Sequence, residues 1–176
     1  MNRAVMVLLD FSKAYDTVWR ERLLLSMSDQ GMPLTMIRWL KCFLTNRQAR
    51  VRFNGVLGHS KEMKQGVPQG SVLSPIMFLF YINNLARILP KNNINTLFAD
   101  DVGTLSIRKT LAEAEQAAQL SVDVVSSWAK AWKLNLNASK SEASFLPPTR
   151  KNQNGSQTSS SMENKSSMQR HHGYLE

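Results

Sequence analysis

The chain has 176 residues, of which 43% are hydrophobic, and its formal charge is +9 at pH 7; this length is enough for one domain with a core. The single cysteine, Cys42, excludes an internal disulfide and a cysteine-based zinc site, which fits a reducing compartment. No stretch reaches the roughly 18 to 20 uninterrupted apolar residues of a membrane span, and the start lacks a signal-peptide layout; we therefore expect an intracellular protein of nucleus or cytoplasm without a membrane partner.

The first third of the chain predicts one strand and two helices. Residues 4–10, "AVMVLLD", are six apolar residues followed by Asp10, which is typical of a covered strand that ends in a carboxylate. Residues 19–33 predict a helix closed by Gly31, and residues 34–44 predict a second one. The apolar side chains of this second helix have helical spacing and are predicted to be core: Met36, Ile37, Leu40, Phe43 and Leu44.

Positive charge is concentrated between Gln30 and Lys61, a segment without any Asp or Glu. Its candidate nucleic-acid-binding residues are Arg38, Lys41, Arg47, Arg50 and Arg52. Aromatic residues lie between them, and basic residues interleaved with aromatic ones suit a polyanion whose bases can stack. A solvated basic face explains the charge equally well, so composition leaves both readings open.

The middle of the chain contains a hairpin signal and a loop rich in small residues. Asn54-Gly55, within "ARVRFNGVLG", predicts a two-residue hairpin turn. The loop "GVPQGSVLSP", residues 66–75, precedes an apolar helix with Ser74 as N-cap and Pro75 at its first position. Its glycines would let the backbone approach a ligand closely, although a plain helix-entry loop explains the loop by itself.

Two adjacent acids, Asp100 and Asp101, follow the apolar run "INTLFADD" and precede another apolar segment, which predicts a strand, a tight turn and a strand. A polar turn is a sufficient explanation for the pair alone. If the first strand lies beside this hairpin, Asp10 joins the pair at one edge of the sheet. Hard divalent cations such as Mg²⁺ prefer carboxylate oxygens, and two of them can clamp an in-line phosphoryl transfer.

The last part of the chain predicts a long helix, two short strands and a tail. Thr110 and Glu113 form a capping box before the helix. The predicted core side of this helix is Leu111, Ala114, Ala118, Val122, Val125, Trp128 and Trp132. Short strands, "KLNLN" and "EASFL", flank "ASKS". From about Thr149 the sequence is polar and serine-rich, so we predict one domain over residues 1–148 and a disordered tail over 149–176.

Four segments, "LLDFSKAYDTVW", "GVPQGSVLSP", "FADD" and "LNLNASKSE", resemble in order and spacing the palm motifs A, B, C and D of reverse transcriptases. The resemblance is greatest to non-LTR (LINE-type) retrotransposons of the jockey-like group, and it covers about residues 4–146. It implies an α+β fold: an incomplete palm whose mainly antiparallel sheet has helices on one face, without the fingers and thumb subdomains.

The resemblance also implies a metal centre. Asp10 matches the metal-binding aspartate of motif A, and Asp100 and Asp101 match the acidic pair of motif C. Together they would hold two Mg²⁺ ions, with Mn²⁺ as an alternative, and carry the catalysis.

Other roles carry over position by position. Tyr15 matches the aromatic residue that stacks under the sugar of the incoming nucleotide, and Gln69 and Gly70 match the motif B contacts to the template strand and nascent base pair. Lys140 matches the motif D lysine, the fourth catalytic candidate, which protonates the leaving pyrophosphate. Asp16 belongs to the pattern too, but we assign it no metal and expect a structural ion pair or helix cap.

The resemblance implies an RNA-directed DNA polymerase that adds dNTPs to a DNA primer on an RNA template. Without the positioning subdomains, we expect weak or no activity from this chain. An alternative is a non-catalytic nucleic-acid-binding remnant of a retroelement. An unrelated Mg²⁺ phosphohydrolase would explain the acids but neither "GVPQGSVLSP" nor the basic, aromatic segment.

Overall fold

The protein is described by a computed structural model over residues 2–146, so the predicted tail lies outside the described residues. The helices along this part of the chain are α1 (Ala14–Thr17), α2 (Arg20–Asp29), α3 (Leu34–Leu44), α4 (Leu73–Ile88) and α5 (Leu111–Ala131). The strands are β1 (Arg3–Leu9), β2 (Gln48–Ala49), β3 (Arg52–Phe53), β4 (Val56–Leu57), β5 (Lys61–Glu62), β6 (Ile94–Phe98), β7 (Asp101–Arg108) and β8 (Glu142–Leu146).

The main sheet has four strands in the order β6-β7-β1-β8, and every neighbouring pair is antiparallel. Strand β1 is central: Leu9 lies opposite Val102 of β7, and Val7 lies opposite Ala143 of β8. The mixed fold with an antiparallel sheet is therefore confirmed.

Helices cover one face of this sheet. Helix α5 packs against both β1 and β7. Along β1 the side chains of Val5, Val7 and Leu9 are buried, whereas that of Leu8 is 46% exposed. Because successive strand residues point to opposite faces, this alternation identifies the helix-covered face and an open one. The prediction of helices on one face is confirmed.

Helix α2 packs against both α3 and α4, and these three helices form a second layer. Tyr81 of α4 links this layer to the end of α5, because its buried hydroxyl donates to the Trp132 carbonyl and accepts from the Trp19 backbone N–H at 3.3 Å. Burial raises the pKa of Tyr81, so the phenol keeps the proton that it donates. Its ring also lies edge-on to that of Trp132, with 4.9 Å between the centroids.

Between α3 and α4 the chain forms a ribbon of two nested antiparallel pairs, β2 with β5 and β3 with β4. Its tip is the predicted Asn54-Gly55 turn, where both residues have positive φ angles of 47° and 80°. Positive φ at both central residues is the requirement of a type I′ turn, which Asn-Gly satisfies at low cost. The hairpin prediction is confirmed, and the side chains of this ribbon are exposed.

The predicted start of α4 is wrong by two positions. The helix begins at Leu73, so Ser74 is not its N-cap and Pro75 is not its first residue. Ser74 is buried, and its hydroxyl donates to the Pro68 carbonyl at 2.5 Å. This hydroxyl is therefore not available to cap the helix. The Ser71 hydroxyl accepts from the Leu73 N–H instead, at 3.3 Å.

Three smaller predictions also need correction. Met36 and Leu111, expected in the core, are 51% and 42% exposed because they lie on the outer sides of their helices. The segment "KLNLN" is not a strand in the described structure, since only Leu136 pairs there, in an isolated bridge with Phe11.

The capping box of Thr110 and Glu113 is confirmed. None of the helices within residues 2–146 has the length and apolar character needed to cross a membrane.

Candidate active site

The site lies where β1 ends beside the turn between β6 and β7. Asp10 follows the last residue of β1, Asp100 occupies the turn, and Asp101 is the first residue of β7. Leu9 pairs with Val102, so extending this register by one residue brings Asp10 beside Asp101. The strand and the acidic hairpin, ninety residues apart in sequence, are thus neighbours in one sheet.

A cavity of about 360 Å³ opens at this edge. Five predicted site residues line it: Asp10, Tyr15, Gln69, Asp100 and Lys140. Five places along the chain contribute them: the end of β1, α1, the loop before α4, the hairpin turn and the segment before β8. The cavity is therefore a product of the tertiary fold.

Asp101 and Gly70 do not line this cavity. Asp101 is exposed, whereas Asp100 is partly buried in the turn. Within residues 2–146 there is no group of three acidic, histidine or cysteine side chains placed to hold one metal ion. Two of the three expected carboxylates come together, and a shared role for Asp101 stays a prediction.

The loop before α4 is docked on α1 through its backbone. The N–H of Gly66 donates to the Val18 carbonyl at 2.9 Å, and the N–H of Val67 donates to the Tyr15 carbonyl at 2.8 Å. The Gln69 amide donates to the Asp16 carboxylate at 2.9 Å. Asp16 thus has a structural role, as expected, but within residues 2–146 its side-chain partner is an amide, and neither the predicted ion pair nor a helix cap is formed there.

The ring of Tyr15 is stacked on that of Phe78, with centroids 4.6 Å apart and planes 19° from parallel. Burial, together with the negative charge of Asp100, raises the pKa of Tyr15 above its ordinary value. The phenol is therefore neutral at physiological pH and lies close enough to Asp100 to sense its charge.

The carboxylates in the cavity fit a hard divalent cation by the chemistry of their donors. Asp10 and Asp100 offer only oxygen atoms, which Mg²⁺ and Mn²⁺ prefer over nitrogen or sulfur ligands. One oxygen of Asp10, Oδ2, accepts a hydrogen bond from Asn137 Nδ2 at 3.0 Å. An ionised carboxylate has further lone pairs on both oxygens, so this bond leaves Asp10 able to bind a cation.

Residues 2–170 match the family model described as "Reverse transcriptase (RNA-dependent DNA polymerase)". The chain belongs to the reverse transcriptase family. The match extends past residue 148, and the boundary placed there stays a prediction, since that part lies outside the described residues.

Curated relatives of this reverse transcriptase chain come from transposons. It is 32% identical over 137 residues to the "Probable RNA-directed DNA polymerase from transposon X-element" of Drosophila melanogaster, with 76% of this chain and 15% of that protein covered. It is 29% identical over 143 residues to the "RNA-directed DNA polymerase from mobile element jockey" of the same species, with 78% and 16% covered. The predicted resemblance to the jockey-like, non-LTR group is confirmed. The chain spans only 15 to 16% of the length of these relatives.

Two solved telomerase structures share the fold. A telomerase from Candida tropicalis, truncated from its C-terminal domain, superposes with a TM-score of 0.61 at 16% sequence identity, covering 86% of this chain and 32% of that one. A second telomerase structure from the same species, in complex with a fragment of telomeric RNA, gives a TM-score of 0.59 at 16% identity, with 82% and 26% covered. The likeness shows that the sheet and helices share the fold of these telomerases.

The five predicted basic residues do not line the cavity. Arg38, Lys41, Arg50 and Arg52 are exposed, and Arg47 is partly buried with its guanidinium carbon 5.3 Å from the centroid of the Phe43 ring. Phe43 in turn stacks on Trp39 at 5.7 Å. The segment combines accessible cations with accessible aromatic rings, and its binding role stays a prediction.

Sequence reasoning missed two residues that shape this reverse transcriptase site. Asn137 contacts Asp10, and it lies inside the motif D segment "LNLNASKSE", where an asparagine before small residues is itself a turn signal. Arg20 of α2 holds the motif B loop by donating to the Gly66 and Gln65 carbonyls at 2.8 and 2.9 Å. Burial, with the charge of Arg47 nearby, lowers the pKa of Arg20. No local pattern identified Arg20.

The docking of motif B on motif A predicts a large cost for Gly66→Ala. Gly66 has φ +78°, and a Cβ there would lie 2.5 Å from the Asp16 carbonyl oxygen, a backbone atom. Strain from positive φ costs roughly 1–3 kcal/mol and forced overpacking about as much again. We expect urea denaturation to show a loss of about 2–5 kcal/mol of unfolding free energy.

Gly31→Ala is the matched control for this prediction. Gly31 has φ +84° but nothing within 4 Å of the added Cβ, so it reports backbone strain alone. We expect it to cost about 1 kcal/mol. Equal losses at the two glycines would contradict the close approach of Gly66 to Asp16.

Proposed function

We propose that this chain forms the catalytic palm of an RNA-directed DNA polymerase that joins dNTPs to the 3′-hydroxyl of a DNA primer paired with an RNA template. The observation that carries the proposal is the shared cavity: Asp10, Tyr15, Gln69, Asp100 and Lys140 all line it, although they are distant in sequence. The family assignment supplies the reaction class, and the cavity supplies the residues.

In the proposed reaction the primer 3′-oxygen forms a bond to the α-phosphorus of the dNTP, and its proton passes to solvent. The bond from the α-phosphorus to the β-phosphate oxygen breaks, and pyrophosphate leaves. Asp10 and Asp100, with Asp101 beside them, would hold two Mg²⁺ or Mn²⁺ ions. Bound cations of this kind stabilise the negative charge on the attacking and leaving oxygens. Lys140, at the cavity wall, would donate a proton to the leaving pyrophosphate.

The remaining cavity residues would orient the substrates. The Tyr15 ring, held flat against Phe78, would form a wall under the sugar of the nucleotide and would exclude a 2′-hydroxyl. Gln69, held by Asp16, would face the template strand. Gly70 has φ +85° and nothing within 4 Å of where a Cβ would be, so its backbone is open to a base pair.

The basic segment would contact the nucleic acid backbone. Its support is the absence of Asp and Glu between Gln30 and Lys61 and the exposure of Arg50 and Arg52 on the ribbon. Phe53, beside Arg52, is 75% exposed and free to stack on a base.

The second candidate, a non-catalytic nucleic-acid-binding remnant, is favoured by two observations on the acids. Asp101 does not line the cavity, and the described residues hold no three-acid group placed for one metal ion. A remnant would keep the basic segment but bind divalent cations poorly at the cavity.

Cation binding separates the two candidates. We expect titration calorimetry with Mn²⁺ and Mg²⁺ to show binding to the 176-residue chain that Asp10→Asn and Asp100→Asn each weaken about 10-fold or more, because each removes one of the paired carboxylates. Asp123→Asn, an exposed acid on α5 outside this cavity, serves as control and should bind like wild type. Wild-type affinity in Asp10→Asn would overturn the polymerase proposal.

Primer extension by this chain alone should be very weak or absent. Correct positioning of reactants supplies roughly 7–11 kcal/mol of a polymerase's barrier reduction, and this chain spans only 15 to 16% of its curated relatives. The assay is gel extension of a labelled DNA primer on an RNA template with Mg²⁺ or Mn²⁺. Robust extension that Asp100→Asn abolishes would contradict the expected weakness.

Binding of an RNA–DNA template-primer should depend on the ribbon. We expect the double variant Arg50→Gln, Arg52→Gln to weaken binding and to lower the salt-dependence slope by about 2, or about 1 per lost phosphate contact. The control is Lys109→Gln with Lys130→Gln, which removes the same charge from exposed positions outside residues 38–53. Equal slopes for the two double variants would show that only net charge matters.

A further inference from the structure

We propose that Asn137 is a positioning residue for Asp10: its neutral amide fixes the orientation of the carboxylate without cancelling the charge that a cation needs. This inference rests on the proposed function, since it assigns Asp10 to a cation site. It adds a residue to which the motif assignment gave no role.

Asn137 contacts Asp10 through both its side chain and its backbone. Asn137 Nδ2 donates to Asp10 Oδ2 at 3.0 Å, and the Asn137 backbone N–H donates to the Asp10 carbonyl at 2.8 Å. The two residues are 127 positions apart, so the pair joins the strand carrying motif A to the segment carrying motif D. Both residues line the same cavity.

The direction of the amide follows from the hydrogen-bonding capacity of its two partners. An ionised carboxylate only accepts hydrogen bonds, so the amide nitrogen of Asn137 faces Asp10 and leaves Oδ1 for another donor. The Ser139 hydroxyl donates to this Oδ1 at 2.7 Å. Ser139 therefore holds the amide at its second polar atom and restricts its rotation.

Ser141 completes the contact with the Asp10 backbone. The Asp10 N–H donates to the Ser141 hydroxyl at 3.3 Å, and this hydroxyl donates to the Asn137 carbonyl at 2.9 Å. Residues 137–141 therefore hold Asp10 at its amide nitrogen, carbonyl oxygen and carboxylate. Lys140 belongs to the same turn, since its N–H donates to the Asn137 carbonyl at 3.1 Å. One turn thus sets the positions of both an acid and a cation at the cavity.

The type of residue at position 137 matters because of charge. A lysine or arginine in this place would pair with Asp10 and compete with a bound metal ion. A carboxylate would repel Asp10 whenever the metal is absent. An amide donates one hydrogen bond, fixes the side-chain rotamer and leaves the net charge of Asp10 unchanged, which is how partners of metal ligands orient them.

The test is Mn²⁺ binding to the 176-residue chain, followed by calorimetry and by the electron paramagnetic resonance signal of bound Mn²⁺. We expect Asn137→Ala to weaken binding about 10-fold and to broaden the bound signal, because loss of an outer partner of a metal ligand costs roughly 10–100-fold in affinity. Ser139→Ala should weaken binding by a smaller factor, because the amide remains but loses the hydrogen bond to its oxygen. Ser139→Thr keeps the hydroxyl and should bind like wild type.

Asn135→Ala is the matched control, because Asn135 lies in the same segment and does not line the cavity. Its hydrogen bond within residues 2–146 is made by its backbone carbonyl, which accepts from the Ser12 N–H at 2.8 Å and is kept in the variant. Thermal melting of each metal-free variant checks folding, and the exposed Ser139 variants should melt like wild type. If wild type binds Mn²⁺, Asp10→Asn loses it and both Asn137→Ala and Ser139→Ala bind like the control, this inference is wrong. If Asp10→Asn binds like wild type, the proposed function itself has failed.

Discussion

The antiparallel pairing of β1 with β7 is the constraint on which the site depends. The register that sets Leu9 opposite Val102 puts the end of one strand beside the start of the other, where both carry acids. A shift of one residue would turn Val5, Val7 and Leu9 away from the helices, exposing side chains that are now buried. The hydrophobic face therefore fixes the register, and the register fixes where Asp10 lies.

The acids form only one side of the cavity. The packing of the motif B loop against α1 forms another side. The motif B loop lies against α1 because Gly66, which has no side chain, lets the backbone approach Asp16 closely. Arg20 holds the same loop by two hydrogen bonds to its carbonyls. These contacts place Gln69 at the cavity, so the position of a cavity-lining side chain depends on backbone packing several residues away.

Features defined by a few neighbouring residues could be predicted from the sequence. Features that depend on contacts between distant residues could not. Asn54-Gly55 and the Thr110–Glu113 capping box are complete within a few residues, so the sequence identified both correctly. A helix start depends on which hydroxyl is available to cap it. The buried Ser74 hydroxyl is bonded to the Pro68 carbonyl, and α4 begins at Leu73. The Asn137 contact with Asp10 spans 127 residues, and no periodicity or turn signal reports such a pair. The motif resemblance identified the acids of the site but not Asn137, the residue that orients Asp10.

Charge is divided across the molecule in a way that suits the proposed chemistry. The basic residues of the ribbon lie outside the cavity, whereas Asp10 and Asp100 line it. A polynucleotide attracted to the ribbon would therefore meet carboxylates at the cavity, and two sets of negative charges repel each other. Divalent cations can bind both at once, so in the proposed reaction their presence would be a condition for bringing phosphate and carboxylate together there. Because Asn137 contacts Asp10 through a neutral amide and not through a cationic side chain, it would not take the place of the divalent cation.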